Sequence, residues 1–212
     1  MRKLTLLCLA VFASFFYTQA QSNTSDVFNA SQEITFLGID YSKSQFVGPA
    51  SGWGSETTKS PAEMRDTYFA MWNNLIEKEP QNFKFAEATG RKTVTLQCNT
   101  VSAVNEKAKV DNLFVENSSD VREINEKDIT GMVKKYNLKK GGGIGMVFIC
   151  EQMNKTLEQA VYWVTFVDMS SGKMLLTKKV IGKAGGFGFK NYWAGSIKSV
   201  LKTMKKDFKN WD

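Results

Sequence analysis

The stretch from residue 141 to residue 183 constrains the fold more than any other part of the chain. It contains three apolar runs, at residues 144–153, 159–169 and 174–181, separated by short linkers of polar residues and glycine. In the middle run, apolar side chains fall on both sides of a strand, which predicts a central strand covered on both faces. The linkers are short enough for hairpins. We therefore predict an antiparallel three-strand meander that the rest of the chain covers.

Three other segments, at residues 61–79, 126–137 and 192–210, have the spacing of amphipathic helices. Ser60 and Pro61 form a typical start for the first helix. The last helix has an apolar stripe with lysines mostly away from it, which predicts docking on the meander, although such a helix also suits a membrane surface. The predicted fold class is α+β, with a mainly antiparallel sheet around the meander and these three helices covering it.

Residues 1–20 have the pattern of a signal peptide. Two basic residues precede an apolar stretch at residues 4–17, and small residues end at Ala20, so cleavage is predicted before Gln21. A retained anchor would need roughly 18 or more apolar residues. No cysteine stands where lipidation would require one. We predict export to the periplasm or outer surface without a lipid anchor, and one α+β domain over residues 21–212.

The chain has no histidine, which excludes histidine-based catalytic triads, proton shuttles and metal sites. Its formal net charge of +7 becomes +5 when Arg2 and Lys3 leave with the signal peptide. This balance favours an anionic partner, such as an envelope protein, an anionic glycan or a lipid headgroup. Nucleic acid is a poor candidate for an exported protein without a nucleic-acid motif, and no cofactor is predicted.

Two cysteines, Cys98 and Cys150, remain after the predicted cleavage. An even number permits one disulfide in an oxidising compartment. Both residues lie in apolar strand patterns, so free buried thiols explain them equally well. The two interpretations stay open at this point. Without a histidine base, neither cysteine is predicted to act as a nucleophile.

Carboxylates at strand ends are the candidates for chemistry. Asp40, Glu151 and Asp168 each stand at or near the end of an apolar strand pattern. A sheet edge that gathered two of them could support glycoside hydrolysis without histidine. The alternative is that each one only marks the point where a strand meets solvent.

Two other features are candidates for ligand binding. Trp53 lies in a long connection at residues 42–59, which is unusual in a compact domain unless it is functional or locally packed. Lys183 and Lys190 flank the glycine-rich segment 182–188 and could bind an anion. That segment lacks the spacing of a phosphate-binding loop, so a tight turn or close backbone packing explains its glycines as well.

Residues 36–42 (FLGIDYS), 143–149 (GIGMVFI) and 182–193 (GKAGGFGFKNYW) resemble a family of uncharacterised secreted proteins of Gram-negative bacteria. The second motif is accompanied by Glu151, Asn154 and Lys155. The resemblance spans most of the chain after the signal peptide. It implies a periplasmic or outer-surface location, and it carries no activity.

The predicted order of strands and helices is also similar to the small lipoprotein domains of the curli-secretion and penicillin-binding-protein-activator type. These are non-catalytic envelope proteins that act through partners, and this chain lacks their lipidated cysteine. The sequence therefore predicts a non-enzymatic binding or structural module of the cell envelope, for a protein or an anionic component. The alternatives are a histidine-free hydrolase with paired carboxylates and a membrane-surface protein that uses its C-terminal helix.

Overall fold

The computed structural model describes residues 22–49, 53, 60–136, 138 and 142–211. The predicted signal peptide and its cleavage point at Ala20 and Gln21 lie outside these residues. So do residues 50–52 and 54–59 of the long connection that the sequence marked as a candidate binding surface.

The described strands form one curled, half-barrel sheet. In chain order they are β1 (Ile34–Asp40), β2 (Gln45–Val47), β3 (Thr95–Leu96), β4 (Phe114–Val115), β5 (Ile144–Asn154), β6 (Gln159–Asp168) and β7 (Met174–Lys183). The three strands of the meander are β5, β6 and β7, and each pairs antiparallel with the next.

The prediction of a mainly antiparallel sheet is wrong. On the edge of β5 opposite β6, β1 pairs with the first part of the strand and β2 with the last part, and both run parallel to it. β3 lies parallel beside β1, and β4 lies parallel beside β2. Four of the six pairings in the described part of the chain are therefore parallel. Parallel pairing is possible here because long crossovers with helical segments separate these strands in the chain.

The number of helices was also predicted wrongly, because five α-helices accompany the sheet in the described residues. Helix α1 is continuous through three segments, Pro61–Glu63, a wider π-helical stretch at Met64–Phe69, and Ala70–Lys78. The others are α2 (Phe85–Thr89), α3 (Ser102–Glu106), α4 (Glu126–Val133) and α5 (Gly188–Asp207). The missed helices α2 and α3 have five residues each, which is too short for a helical period to show in the sequence.

Local sequence explains where the predicted helices begin. The hydroxyl of Ser60 accepts a hydrogen bond from the backbone N–H of Glu63 at 3.1 Å, which confirms the predicted cap of α1. Asn125 and Asp128 form a reciprocal capping box at the start of α4. No described helix has both the length and the apolar character needed to cross a membrane.

The two faces of the sheet are covered by different helices. One face carries the larger core, which includes the buried apolar stripe of the C-terminal helix: Trp193, Ile197, Val200, Leu201, Met204, Phe208 and Trp211. The opposite face carries a smaller core against α4: Leu37, Val147, Ile149 and Val167 from the strands, with Ile129, Met132, Val133 and Tyr136. The apolar side of α5 is thus occupied by the sheet, as the docking interpretation predicted.

Glycine permits close contact between α5 and the end of β7. A methyl group at Gly182 would overlap the backbone carbonyl of Ser196, and one at Gly195 would overlap the backbone of Gly185. Close packing therefore accounts for two glycines of this region without a bound phosphate.

Candidate binding groove

A groove of about 1380 Å³ lies between α3 and α4. Its floor is the connection between β1 and β2, at residues 42–45. One wall consists of α3 and the segment that follows it as far as Val115 in β4. The other wall consists of residues 120–125 and the exposed side of α4.

The lining of the groove combines basic and apolar side chains. The basic residues are Lys43, Lys107, Lys109, Arg122, Lys127 and Lys135, and the acidic ones are Asp111, Asp120 and Asp128. The apolar residues are Ala103, Val104, Ala108, Leu113, Val115, Ile124 and Met132. With six cationic and three anionic side chains, the groove is basic overall.

The positive charge of the groove is largely free to meet a ligand. Arg122 pairs with Asp128 at 3.5 Å, and Asp128 also accepts a hydrogen bond from the backbone of Asn125. Asp120 is engaged at the backbone of Asn117. By contrast, none of the five lysines of the groove forms an ion pair with a carboxylate that the structure describes.

The wall formed by α3 is tied to the sheet through Asn105. Its amide oxygen accepts the backbone N–H of Tyr41 at 2.7 Å, and its amide nitrogen donates to the carbonyl of Ile39 at 2.9 Å. Asn73 of α1 makes a matching pair of bonds to the N–H and carbonyl of Ile39. Both amides are buried, so these bonds fix α3 firmly beside the end of β1.

The wall formed by α4 is tied to the same strand through Asp40. The hydroxyl of Tyr136 donates to one carboxyl oxygen of Asp40 at 2.6 Å, and the backbone N–H of Ser42 donates to the other at 2.7 Å. Asp40 is fully buried, and this burial raises the pKa of its carboxyl group. Asp40 therefore connects the turn that follows α4 to the floor of the groove and does not face a ligand.

Glu151 of β5 is the third tie. It is 3% exposed and accepts hydrogen bonds from the indole N–H of Trp163 at 2.8 Å and the backbone N–H of Ile124 at 3.1 Å. Lys179 pairs with it at 3.1 Å and lies 4.9 Å from the centre of the Trp163 ring. Because Ile124 lines the groove just before α4, Glu151 positions that wall from the sheet.

Asp40 pairs with Ile149, two residues from Glu151 on β5, so these two carboxylates lie near each other. Both are buried and hydrogen-bonded within the protein. The third strand-end carboxylate, Asp168, is far from them. Asp168 lies opposite Ile144, seven residues from Glu151 along β5, and a rise of about 3.3 Å per residue separates them by roughly 23 Å. Glycosidase carboxylates stand roughly 5–9.5 Å apart. Asp168 instead accepts bonds from the backbone N–H groups of Ser170 and Ser171 at 2.8 Å. Burial raises the pKa of Asp168, but hydrogen bonds from Ser170, Ser171 and Ser22 together lower it below its ordinary value.

The other predicted ligand residues also lie outside the groove. Trp53 is fully buried and stacks on Trp193, with 5.1 Å between ring centres. Lys183 is exposed at the end of β7, and Lys190 lies in the first turn of α5. Trp53 is therefore a core residue that holds the chain after β2, whereas the two lysines lie beside the glycine-rich segment.

Cys98 and Cys150 are both free and buried. Of the two arrangements that the sequence left open, a disulfide or two free thiols, the structure has the free thiols. Burial raises the pKa of both thiols, that of Cys150 to about 12. Neither thiol has the lowered pKa of a reactive cysteine. No cluster of three metal-ligating side chains occurs among the residues that the structure describes.

The groove residues carried only weak signals in the sequence. Half of them come from residues 99–123, where neither strand nor helix periodicity is clear. The fold and groove together define a class, an α+β protein with a mixed half-barrel sheet and a basic surface groove. Comparisons with protein families, curated proteins and solved structures find no match, so the resemblance to secreted Gram-negative proteins stays a prediction.

Proposed function

We propose that the protein is an exported, non-enzymatic binding module of the cell envelope, and that its groove holds an acidic segment of a partner protein. The observation that carries this proposal is the set of five lysines around the groove between α3 and α4, none of which forms an ion pair with a carboxylate of residues 22–49, 60–136 or 142–211. Export is supported by the signal-peptide pattern of residues 1–20.

The size of the groove favours an extended ligand. Pockets for small molecules usually have volumes of about 300–1,000 Å³, and this groove has about 1380 Å³ and is open to solvent. Its exposed or partly exposed apolar side chains, Ala103, Val104 and Val115, would contact apolar side chains of a ligand. A protein segment that carries both carboxylates and apolar side chains matches this lining.

The charges alone would give weak binding. An exposed ion pair contributes about 0.2–1 kcal/mol, so five such pairs contribute at most about 5 kcal/mol. Burial of apolar side chains at about 25 cal/mol per Å² must supply much of the remaining affinity. We therefore expect the lysines to set the preference for acidic partners and the salt dependence of binding.

A charge-reversal experiment tests the proposal. The chain from Gln21 onward is titrated with a fluorescent peptide of glutamate and leucine and with its lysine and leucine counterpart. Lys107→Glu combined with Lys127→Glu should weaken binding of the acidic peptide at least about tenfold, because each change replaces an attraction with a repulsion.

The matched control combines Lys202→Glu with Lys206→Glu, two exposed positions on α5 outside the groove. This control has the same net charge, so binding should stay within about twofold of the original. Equal loss in both double variants would show general charge attraction and would contradict a groove-specific site. An anionic polysaccharide that binds while the acidic peptide does not would identify a glycan as the ligand and would also overturn the proposal.

Export has its own test. The protein is produced from its full-length gene in a Gram-negative host, and the N-terminal peptide of the periplasmic fraction is identified by mass spectrometry. We expect the peptide to begin at Gln21. Cytoplasmic protein that retains Met1 would remove the envelope from the proposal.

A further inference from the structure

Three large hydrophobic side chains are exposed in the described part of the protein. Phe187 is 95% exposed, Leu157 is 58% exposed and Ile181 is 53% exposed. Isolated apolar residues on a surface are ordinary. These three, however, lie at one end of the meander.

The backbone brings Leu157 and Ile181 to one end of the meander, and Phe187 follows the end of β7 there. Leu157 is in the turn between β5 and β6, and Gln159 at the start of β6 pairs with Lys183 at the end of β7. The N–H of Ala184 donates to the carbonyl of Glu158 at 2.7 Å, which joins this turn to the glycine-rich segment. Ile181 pairs with Val161, two residues along β6.

Phe187 is held at the tip of the glycine-rich segment. Its two neighbours are Gly186 and Gly188, with φ values of +131° and +77°. Residues other than glycine rarely adopt such positive values. The carbonyl of Phe187 accepts a bond from the side chain of Asn191 at 3.3 Å. The backbone is therefore fixed by this contact while the aromatic ring extends into solvent.

Basic residues surround the apolar ones. The two segments that carry or adjoin these side chains are residues 155–158 and 182–190. They contain Lys155, Lys183 and Lys190 but one carboxylate, that of Glu158. The ammonium group of Lys155 lies 4.8 Å from the centre of the Tyr192 ring, which places its positive charge beside the start of α5. An anionic surface would complement this end of the protein.

We propose that Leu157, Ile181 and Phe187 form a membrane-docking edge that inserts into the interface of an anionic lipid bilayer. The area favours lipid over a protein partner. The three side chains expose roughly 400 Å², taking about 200 Å² for a complete side chain, whereas a standard protein interface needs about 800 Å² from each partner. Projection of Phe187 from a loop tip suits insertion between lipid headgroups.

Vesicle sedimentation tests the docking edge. Every contact described above lies within residues 22–211, so the chain from Gln21 onward is used, without the apolar leader. We expect it to bind vesicles rich in phosphatidylglycerol, to bind neutral phosphatidylcholine vesicles far less, and to dissociate as salt is raised.

Substitutions at one exposed position separate the contributions. Phe187→Ser should lower partitioning at least about tenfold, because it removes the main inserted side chain, and Phe187→Leu should retain most of it. Lys183→Ala should lower partitioning about fivefold, whereas Lys209→Ala at the far end of α5 should leave it unchanged. Phe187→Trp should show a blue shift of its fluorescence on anionic vesicles only.

The proposal would be overturned if the original chain did not bind anionic vesicles, or if Phe187→Ser bound them as strongly as the original chain. It would also be overturned if, without vesicles, the original chain and Phe187→Ser differed in sedimentation coefficient, because that would identify a self-association surface. None of these variants touches the groove. The docking edge and the groove can therefore fail independently.

Discussion

Protein stability should respond very differently to removal of the two members of the half-buried ion pair between Glu151 and Lys179. Glu151 is 3% exposed, and the side chain of Lys179 is 39% exposed. Glu151→Ala removes the acceptor of the indole N–H of Trp163 and of the backbone N–H of Ile124. Lys179→Ala leaves both of those hydrogen bonds in place.

The magnitudes follow from these contacts. A buried donor without an acceptor costs about 1–3 kcal/mol, so Glu151→Ala should lower the free energy of unfolding by about 3–5 kcal/mol. Loss of Lys179 removes a partly screened ion pair and a cation–π contact with Trp163, each worth about 1 kcal/mol or less. We expect Lys179→Ala to cost at most about 1.5 kcal/mol, and Glu151→Gln, which keeps an acceptor oxygen, to fall between the two.

Urea unfolding followed by circular dichroism measures these differences. With a slope of about 2 kcal/mol per molar urea, Glu151→Ala should shift the midpoint by about 2 M, and Lys179→Ala by less than about 1 M. Equal shifts for the two alanine variants would refute the reasoning, because they would locate the stability in the charge pair and not in the buried donors. Groove binding provides a second test: Glu151→Ala should weaken peptide binding more than Lys179→Ala, because Glu151 accepts the backbone N–H of Ile124.

Three further predictions concern buried groups elsewhere. Burial raises the pKa of Asp40 above its ordinary 3.8, so the native state holds that proton more tightly than the unfolded chain. The stability that the bound proton contributes is lost as the pH rises through the native pKa. In urea unfolding repeated from acidic to neutral pH, Asp40→Asn should therefore gain stability relative to the original protein. Gly182→Ala should destabilise the protein by about 1–3 kcal/mol through overlap with α5. Gly131→Ala, in open space on α4, should instead stabilise it by about 0.5–1 kcal/mol. Thermal unfolding of both variants measures these changes in stability. Ellman's reagent should label neither Cys98 nor Cys150 in the native chain from Gln21 and both in urea, and unfolded protein without reactive thiols would show a disulfide instead.

The meander was predictable because its signal is local. The apolar runs at residues 144–153, 159–169 and 174–181 have the length of strands and short linkers, and hairpins require only neighbouring segments. The stripe of α5 was predictable for the same reason. Both predictions depended on side-chain periodicity, which the sequence displays directly.

The direction of the other strands was not predictable in this way. β1 pairs with β5, about a hundred residues later in the chain. The sequence of neither strand indicates whether the two run parallel or antiparallel. β3 and β4 have two residues each, so they carry no period at all. The path of the crossovers decides the sheet direction. These crossovers contain the predicted helices α1 and α4, but also the short helices α2 and α3 and irregular turns that the sequence did not predict.

The same division explains the candidate site. Asp40 and Glu151 were singled out because carboxylates at strand ends are conspicuous, and the structure engages both in holding the walls of the groove. The lysines that face the groove, such as Lys107 and Lys127, stand on irregular or short segments where charge is usual and therefore uninformative. A rigid sheet that fixes its walls through buried polar ties can present such exposed lysines in a constant arrangement. Loss of a tie should therefore alter binding without removing any lysine, whereas loss of a lysine should alter binding without lowering stability.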